Sequence, residues 1–152
     1  MEKPEPETTK EKKRDLPHGY KMARDVGEKV FENMCHALGI DEHEFKETDE
    51  GEGAKNKLIH AFCTGCLEYE DEVFTLHLKS PIKTGTKEIS VLKIGEPDGA
   101  QLRSMSIIKK KNDDFGKAMA VLGAVTKLGI PVMNKLKSRD SMIAVAVISL
   151  FL

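Results

Sequence analysis

Residues 73–97 read VFTLHLKSPIKTGTKEISVLKIGEP, and the fold turns on how this stretch is arranged. From Val73 to Leu78 the apolar side chains alternate. Phe74, Leu76 and Leu78 share one face, while Val73, Thr75 and His77 take the other, which is the period of a half-buried strand. Pro81 to Thr86, with Gly85 inside it, reads as a turn. Ile89 to Ile94 alternates less cleanly (Ile89 and Val91 against Leu92 and Ile94) but is β-branched enough to be the return strand. The spacing therefore predicts a β-hairpin. An isolated hairpin is marginal in water, so something must cover its apolar face.

Downstream segments can supply the cover. Asp98 after Pro97, with Gln101 three residues on, has the form of a capping box, and Leu102, Met105 and Ile108 follow as an apolar stripe. Lys109 to Asp114 interrupts that stripe. Asp113 or Asp114 can cap a second helix carrying Phe115, Met119, Leu122, Val125 and Leu128 on one side, with Gly129 as its C′ residue. Pro131 suits the first turn of a short helix holding Val132 and Leu136. Asp140 is expected to cap a terminal apolar helix. The fold class predicted is α+β: a short β-hairpin followed by a small bundle of three or four helices. Ahead of it stands a partly disordered acidic N-terminal region containing one amphipathic helix.

That N-terminal region divides further. Residues 1–17 are rich in Pro, Glu, Lys and Thr and bury too little apolar area to offset chain entropy, so a disordered tail is expected. Met22, Val26, Val30, Phe31, Met34 and Leu38 recur every three to four residues, predicting an amphipathic helix from His18 to about Gly39. Residues 41–57 are acidic and contain Gly, the composition of a solvated linker, and a short apolar patch runs from Leu58 to Leu67. The expected organisation is a tail over 1–17, an acidic extension over 18–70 and a folded domain over 72–152.

Composition narrows the function classes. Charged side chains make up 32% of the 152 residues, against 39% apolar, more polar than an ordinary domain and enough for one core rather than two. The longest apolar run, Met142 to Leu152, is broken by Ser149 and is too short to span a bilayer. Met1 to Tyr20 lacks the apolar stretch of a secretory signal, and three cysteines are an odd number for a secreted disulfide scaffold. The reading is a cytosolic protein with no membrane partner. Residues 1–70 carry 11 basic and 17 acidic side chains, whereas 71–152 carry 13 and 8. The basic half is only mildly so and offers little aromatic surface for stacking, which disfavours nucleic acid as a partner.

The sharpest chemical signal is His60-x2-Cys63-x2-Cys66, with Cys35 and His36 upstream. Two thiolates and one or two imidazoles are zinc ligands, but a second clean pair is missing, and no βαβ context surrounds the CxxC for redox work. Structural thiols, a small zinc-binding regulatory or adaptor protein, and a thiol-disulfide enzyme all remain open on these residues. His77 reads as a surface histidine. Glu68, Glu70, Asp71 and Glu72 read as a solvated face, and Lys109-Lys110-Lys111 as a loop. There is no Gly-rich phosphate loop, nucleophile elbow or Ser/His/Asp set, so catalysis is not expected and no cofactor is implied.

The order of elements resembles the tail assembly chaperone family of Mu-like, contractile-tailed bacteriophages. The resemblance runs over residues 72–152. It rests on Leu78-Lys79-Ser80-Pro81-Ile82, Gly85, the strand Ile89 to Ile94 and Gly95-Glu96-Pro97, then Val121 to Leu128, Leu136, Asp140 and Phe151. It implies a non-enzymatic protein of the host cytoplasm that binds the phage tape-measure protein and keeps it soluble while tube subunits assemble, and is absent from the finished virion. The tail tube protein is a further partner compatible with it, as is self-association into a homo-oligomer. Relatives occur in two lengths through a frameshift, and a stop after Phe151-Leu152 fits the short form. A holdase needs an adaptable apolar surface, and methionine supplies one. Met105, Met119, Met133 and Met142 are the candidate partner-binding residues, against the alternative that they fill the core.

Overall fold

The computed structural model describes residues 16–46 and 48–152. The tail expected over 1–17 thus lies, apart from Leu16 and Pro17, outside the described residues. The described residues form two compact units, divided between Gly65 and Cys66.

In the first unit, helix α1 spans Arg24–Leu38. It starts later than the periodicity suggests, because the Lys21 and Met22 N–H groups donate to the Cys63 carbonyl (2.7 and 3.3 Å) rather than to a preceding turn. Gly39, at φ 72°, ends it as expected. Its N–H donates to His36 and that of Ile40 to Cys35, the paired bonds of a Schellman stop. The buried face is Gly27, Phe31, Met34 and Cys35, while Val26 is exposed.

The acidic linker expected over 41–57 is instead largely helical. A 3₁₀ turn, Glu42–Lys46, leads into helix α2, Asp49–Thr64. Thr48 caps α2, its hydroxyl accepting from Gly51 N–H at 2.9 Å, and Asp49, Glu50 and Glu52 lie in the first turn. There the helix dipole favours negative charge, so an acidic run that looks like linker is a helix start. Leu58, Ile59, Ala61, Phe62 and Cys63 form its buried side. Contacts run backward along α2 as α1 advances: Tyr20 meets His60, Arg24 donates to Asn56, and Lys55 sits over the Phe31 ring. At Gly27 the helices come so close that a Cβ there would collide with the Cys63 sulfur.

The second unit contains a three-stranded antiparallel sheet, β1 (Leu67–Glu70), β2 (Val73–Thr84) and β3 (Lys87–Gly95), in that spatial order. The α+β class holds, but the predicted order, hairpin first and helices after, does not. Of the six α-helices among the described residues, two precede the sheet, and the sheet has three strands. β1 is the strand that the acidic composition hides: Leu67 is buried, and Glu68 and Glu70 face outward. It turns into β2 through Asp71 and Glu72, both at positive φ (53° and 64°), the backbone of a type I′ hairpin without its usual Asn or Gly. Between β2 and β3, Gly85 at φ 61° supplies the single positive φ of a Gly-first two-residue turn.

β2 and β3 pair from Val73↔Gly95 to His77↔Val91, then from Ile82↔Ile89 to Thr84↔Lys87, with an irregularity between. Leu78 to Pro81 on β2 face only Ser90 on β3, so β2 bulges between His77 and Ile82. Pro81 has no N–H to lend to a ladder and is tolerated at such a break. Phe74, Leu76, Leu78, Ile82, Leu92 and Ile94 are buried.

The predicted capping box is present at α3 (Gly99–Leu102): Gln101 N–H donates to Asp98 at 2.8 Å, and Asp98 N–H to the Gln101 side chain at 3.0 Å. The chain then tightens into a 3₁₀ turn, Arg103–Ile107. Asp113 caps α4, Asp114–Thr126. Here the buried side is Ala118 to Gly123, and Phe115 is exposed rather than in the stripe. Lys127, not Gly129, takes the left-handed closing position. Gly129 opens the short α5 (Ile130–Met133), where a Cβ on Gly123 would lie 2.8 Å from the Gly129 backbone. Helix α6, Ser138–Ser149, completes the layer, with Phe151 edge-on to Phe74 at 6.4 Å.

Asp140 does not cap α6. It sits in the first turn, 2% exposed, and its two carboxylate oxygens accept the N–H groups of Lys79 and Ser80, each at 3.0 Å. The β2 bulge frees these donors from the ladder, and the buried carboxylate satisfies both.

Candidate functional site

β3 is an outer strand of the sheet, so one row of its backbone groups is not paired within it. Alongside runs an open groove of about 530 Å³, walled by Glu88 to Lys93 on one side and by Val125, Thr126 and Leu128 near the end of α4 on the other. Val91 is exposed on it, and Ile89, Val125 and Leu128 are half-buried. Its floor and walls are mostly apolar, while Glu88 and Lys93 place a charge of each sign along it. Such a groove beside an open strand can take an extended or helical segment of another protein. It holds no paired acid and base and no phosphate cradle.

Sequence reasoning named none of these residues as a site, because the groove joins segments more than thirty positions apart. The imperfect alternation of Ile89 and Val91 against Leu92 and Ile94 was the available signal. It marks a strand apolar on both faces, one of which the helices do not cover.

The four methionines are placed differently. Met119 and Met133 are buried, Met105 is half-buried, and Met142 on α6 is 45% exposed. Phe115 and Ile107 are also exposed, at 46% and 62%.

The thiols and imidazoles of the first half do not assemble. Among the described residues no three His, Cys, Asp or Glu side chains are grouped as a metal ion would require. His60 instead accepts or donates at Nδ1 to the Tyr20 hydroxyl at 3.0 Å, with the rings edge-on. Cys35 and Cys63 are buried in the α1–α2 core, and none of the three cysteines is in a disulfide. Burial raises the Cys35 thiol to about 11, with Glu42 adding to the effect, and burial likewise raises Cys63. Both are therefore poor thiolates. His77 is on the surface, its Nε2 2.9 Å from Glu68. Lys109 to Lys111 lie in an exposed loop, where the Lys111 carbonyl accepts from Lys117.

Residues 75–152 match the family model described as phage tail assembly chaperone proteins, E, or 41 or 14. The chain belongs to the phage tail assembly chaperone family. No curated protein and no solved structure is significantly similar to it. The matched segment contains both walls of the groove, the β2 bulge and Asp140. Ser80-Pro81 and Asp140, which support the resemblance in sequence, thus meet in space through the Ser80 N–H. No helix among the described residues is long and apolar enough to cross a membrane.

Proposed function

We propose that this chaperone acts by holding the phage tape-measure protein, keeping that long chain soluble in the host cytoplasm until tube subunits enclose it, and leaving before the virion is complete. Membership of the family over residues 75–152 carries this reading. The groove between β3 and the end of α4 supports it, since an open strand edge with apolar walls can accept many sequences through main-chain bonds. Met142, Ile107 and Phe115 add exposed apolar side chains, and a flexible methionine suits a varied client. Of the four methionines, the exposure of Met142 supports it as a contact residue, while Met119 and Met133 are buried. The role is one of binding and release without a catalysed reaction.

The test is co-expression with a phage tape-measure protein. The expected result is a soluble tape-measure protein that co-purifies with this chain, and a largely insoluble one without it. Val91→Asp, at an exposed position on the groove, is expected to lower the soluble fraction while leaving this chain folded. Equal solubility with and without the chain overturns the reading.

A further inference from the structure

The β2 bulge and the turn from α5 into α6 are joined at two places. Asp140 accepts from Lys79 and Ser80, and the Lys135 ammonium reaches the Lys83 carbonyl at 3.4 Å. These joints gather cations from separate segments: Lys79 and Lys83 from β2, and Lys135, Lys137 and Arg139 from the chain around the start of α6; Lys87, opposite Thr84 in the β2–β3 register, adds a cation on the other face of the same hairpin end. All six are exposed. Within residues 79–88 and 135–140 the only carboxylates are Glu88, opposite Lys83, and Asp140, which is buried and already engaged. None of the six cations is in an ion pair among the described residues. Like charges gathered on adjoining segments repel one another, and a partner of opposite sign relieves that repulsion.

We infer that this patch is a docking site for an acidic segment of a protein partner, and the inference rests on the reading of the chain as a chaperone for a phage tail protein. Protein is favoured over single-stranded nucleic acid because residues 79–87 and 130–141 contain no aromatic side chain on which a base could stack, and the duplex probe below tests phosphate binding. Asp140 pins the backbone at Lys79, and Lys83 stands on the paired ladder where its carbonyl accepts from Lys135, so the backbone carrying these charges is set before the partner arrives. Binding there is steered by charge and weakens as salt screens it.

The test uses the full chain and three labelled probes: a Glu-rich 20-residue peptide, the same peptide with Gln for Glu, and a short DNA duplex. The expected result is salt-sensitive binding of the Glu peptide, at least tenfold tighter than the Gln peptide or the duplex. The triple variant Lys83→Glu, Lys135→Glu, Arg139→Glu weakens it at least tenfold. Lys109→Gln, Lys110→Gln, Lys111→Gln, which removes three cations elsewhere, changes it less than twofold. A milder pair, Lys83→Gln with Arg139→Gln, gives an intermediate loss and serves if the reversal variant does not fold by circular dichroism. Equal loss in the Lys109–Lys111 variant, no binding of the Glu peptide, or tighter binding of the duplex overturns the inference. Co-expression separates the two claims. A patch variant that solubilises the tape-measure protein as well as the parent chain sinks the docking site and leaves the chaperone reading standing. A parent chain that does not solubilise it sinks the chaperone reading, while the peptide measurements still decide whether the patch selects acidic protein.

Discussion

The two units close their cores by opposite means. In the first, α1 and α2 approach through the absence of a side chain: Gly27 lets the Cys63 sulfur sit where a Cβ would be. In the second, α6 is fastened to the sheet by an added polar group, the Asp140 carboxylate taking two backbone N–H groups from the β2 bulge. A steric joint is sensitive to anything larger. A hydrogen-bonded joint is sensitive to anything that cannot accept.

The largest effect is expected at the polar joint. Asp140→Ala removes a buried carboxylate and leaves two part-buried N–H donors without it, and its cost is about 2–3 kcal/mol. Asp140→Asn keeps one acceptor oxygen and is expected to lose roughly half of that. Urea unfolding followed by circular dichroism measures both, and a cost below about 1 kcal/mol for Asp140→Ala removes the carboxylate from its role. Next comes the steric joint. On an open helix Gly→Ala gains up to about 1 kcal/mol, but at Gly27 the new methyl collides with the Cys63 sulfur, so a net loss of about 2 kcal/mol is expected. Gly27→Ala combined with Cys63→Ala recovers most of it, giving a favourable coupling in a double-mutant cycle. Additive losses would show that the sulfur is not what the methyl meets.

Smaller effects test the β1–β2 hairpin. Glu72 stands at φ 64°, where an L side chain costs about 1–2 kcal/mol. Glycine relieves this but adds about 0.5–1 kcal/mol of unfolded-chain entropy. Glu72→Gly is therefore expected to raise stability by about 0.5–1 kcal/mol in the same urea assay, and a loss would contradict the I′ backbone. The smallest change is expected at Tyr69, whose buried hydroxyl has no hydrogen-bond partner among the described residues. Tyr69→Phe should gain a few tenths of a kcal/mol, since an unpaired buried hydroxyl is a cost. A loss of about 1 kcal/mol would reveal a partner for that hydroxyl.

These sites also mark where the sequence could be read and where it could not. The β2–β3 pairing, the Asp98–Gln101 capping box, the Asp113 cap and the Gly39 stop were legible because each is local: a period of two, or a donor and acceptor three residues apart. α2 was obscured because carboxylates that suit a helix start also suit a solvated linker. β1 was obscured because its turn uses Asp71 and Glu72 where Asn and Gly would have announced it. The start of α6 was read three residues too late: it begins at Ser138, and Asp140, inside its first turn, looked like its cap because a carboxylate near a helix start usually is one. Only the distant bulge, with its two released N–H groups, reveals what it serves. The groove was illegible for the same reason, its walls being β3 and the end of α4.

The reach of the Asp140 fastening along the chain has a kinetic consequence. It joins residues 60 and 61 positions apart, whereas the hairpins close over two-residue turns. Closing a loop of that length costs about 3–4 kcal/mol of chain entropy from its logarithmic term alone. The ribbon can therefore zip early in refolding, and the latch to the final helix engages late. Interactions made after the rate-limiting barrier govern how fast a protein comes apart rather than how fast it assembles, so this carboxylate acts as a brake on escape from the native state.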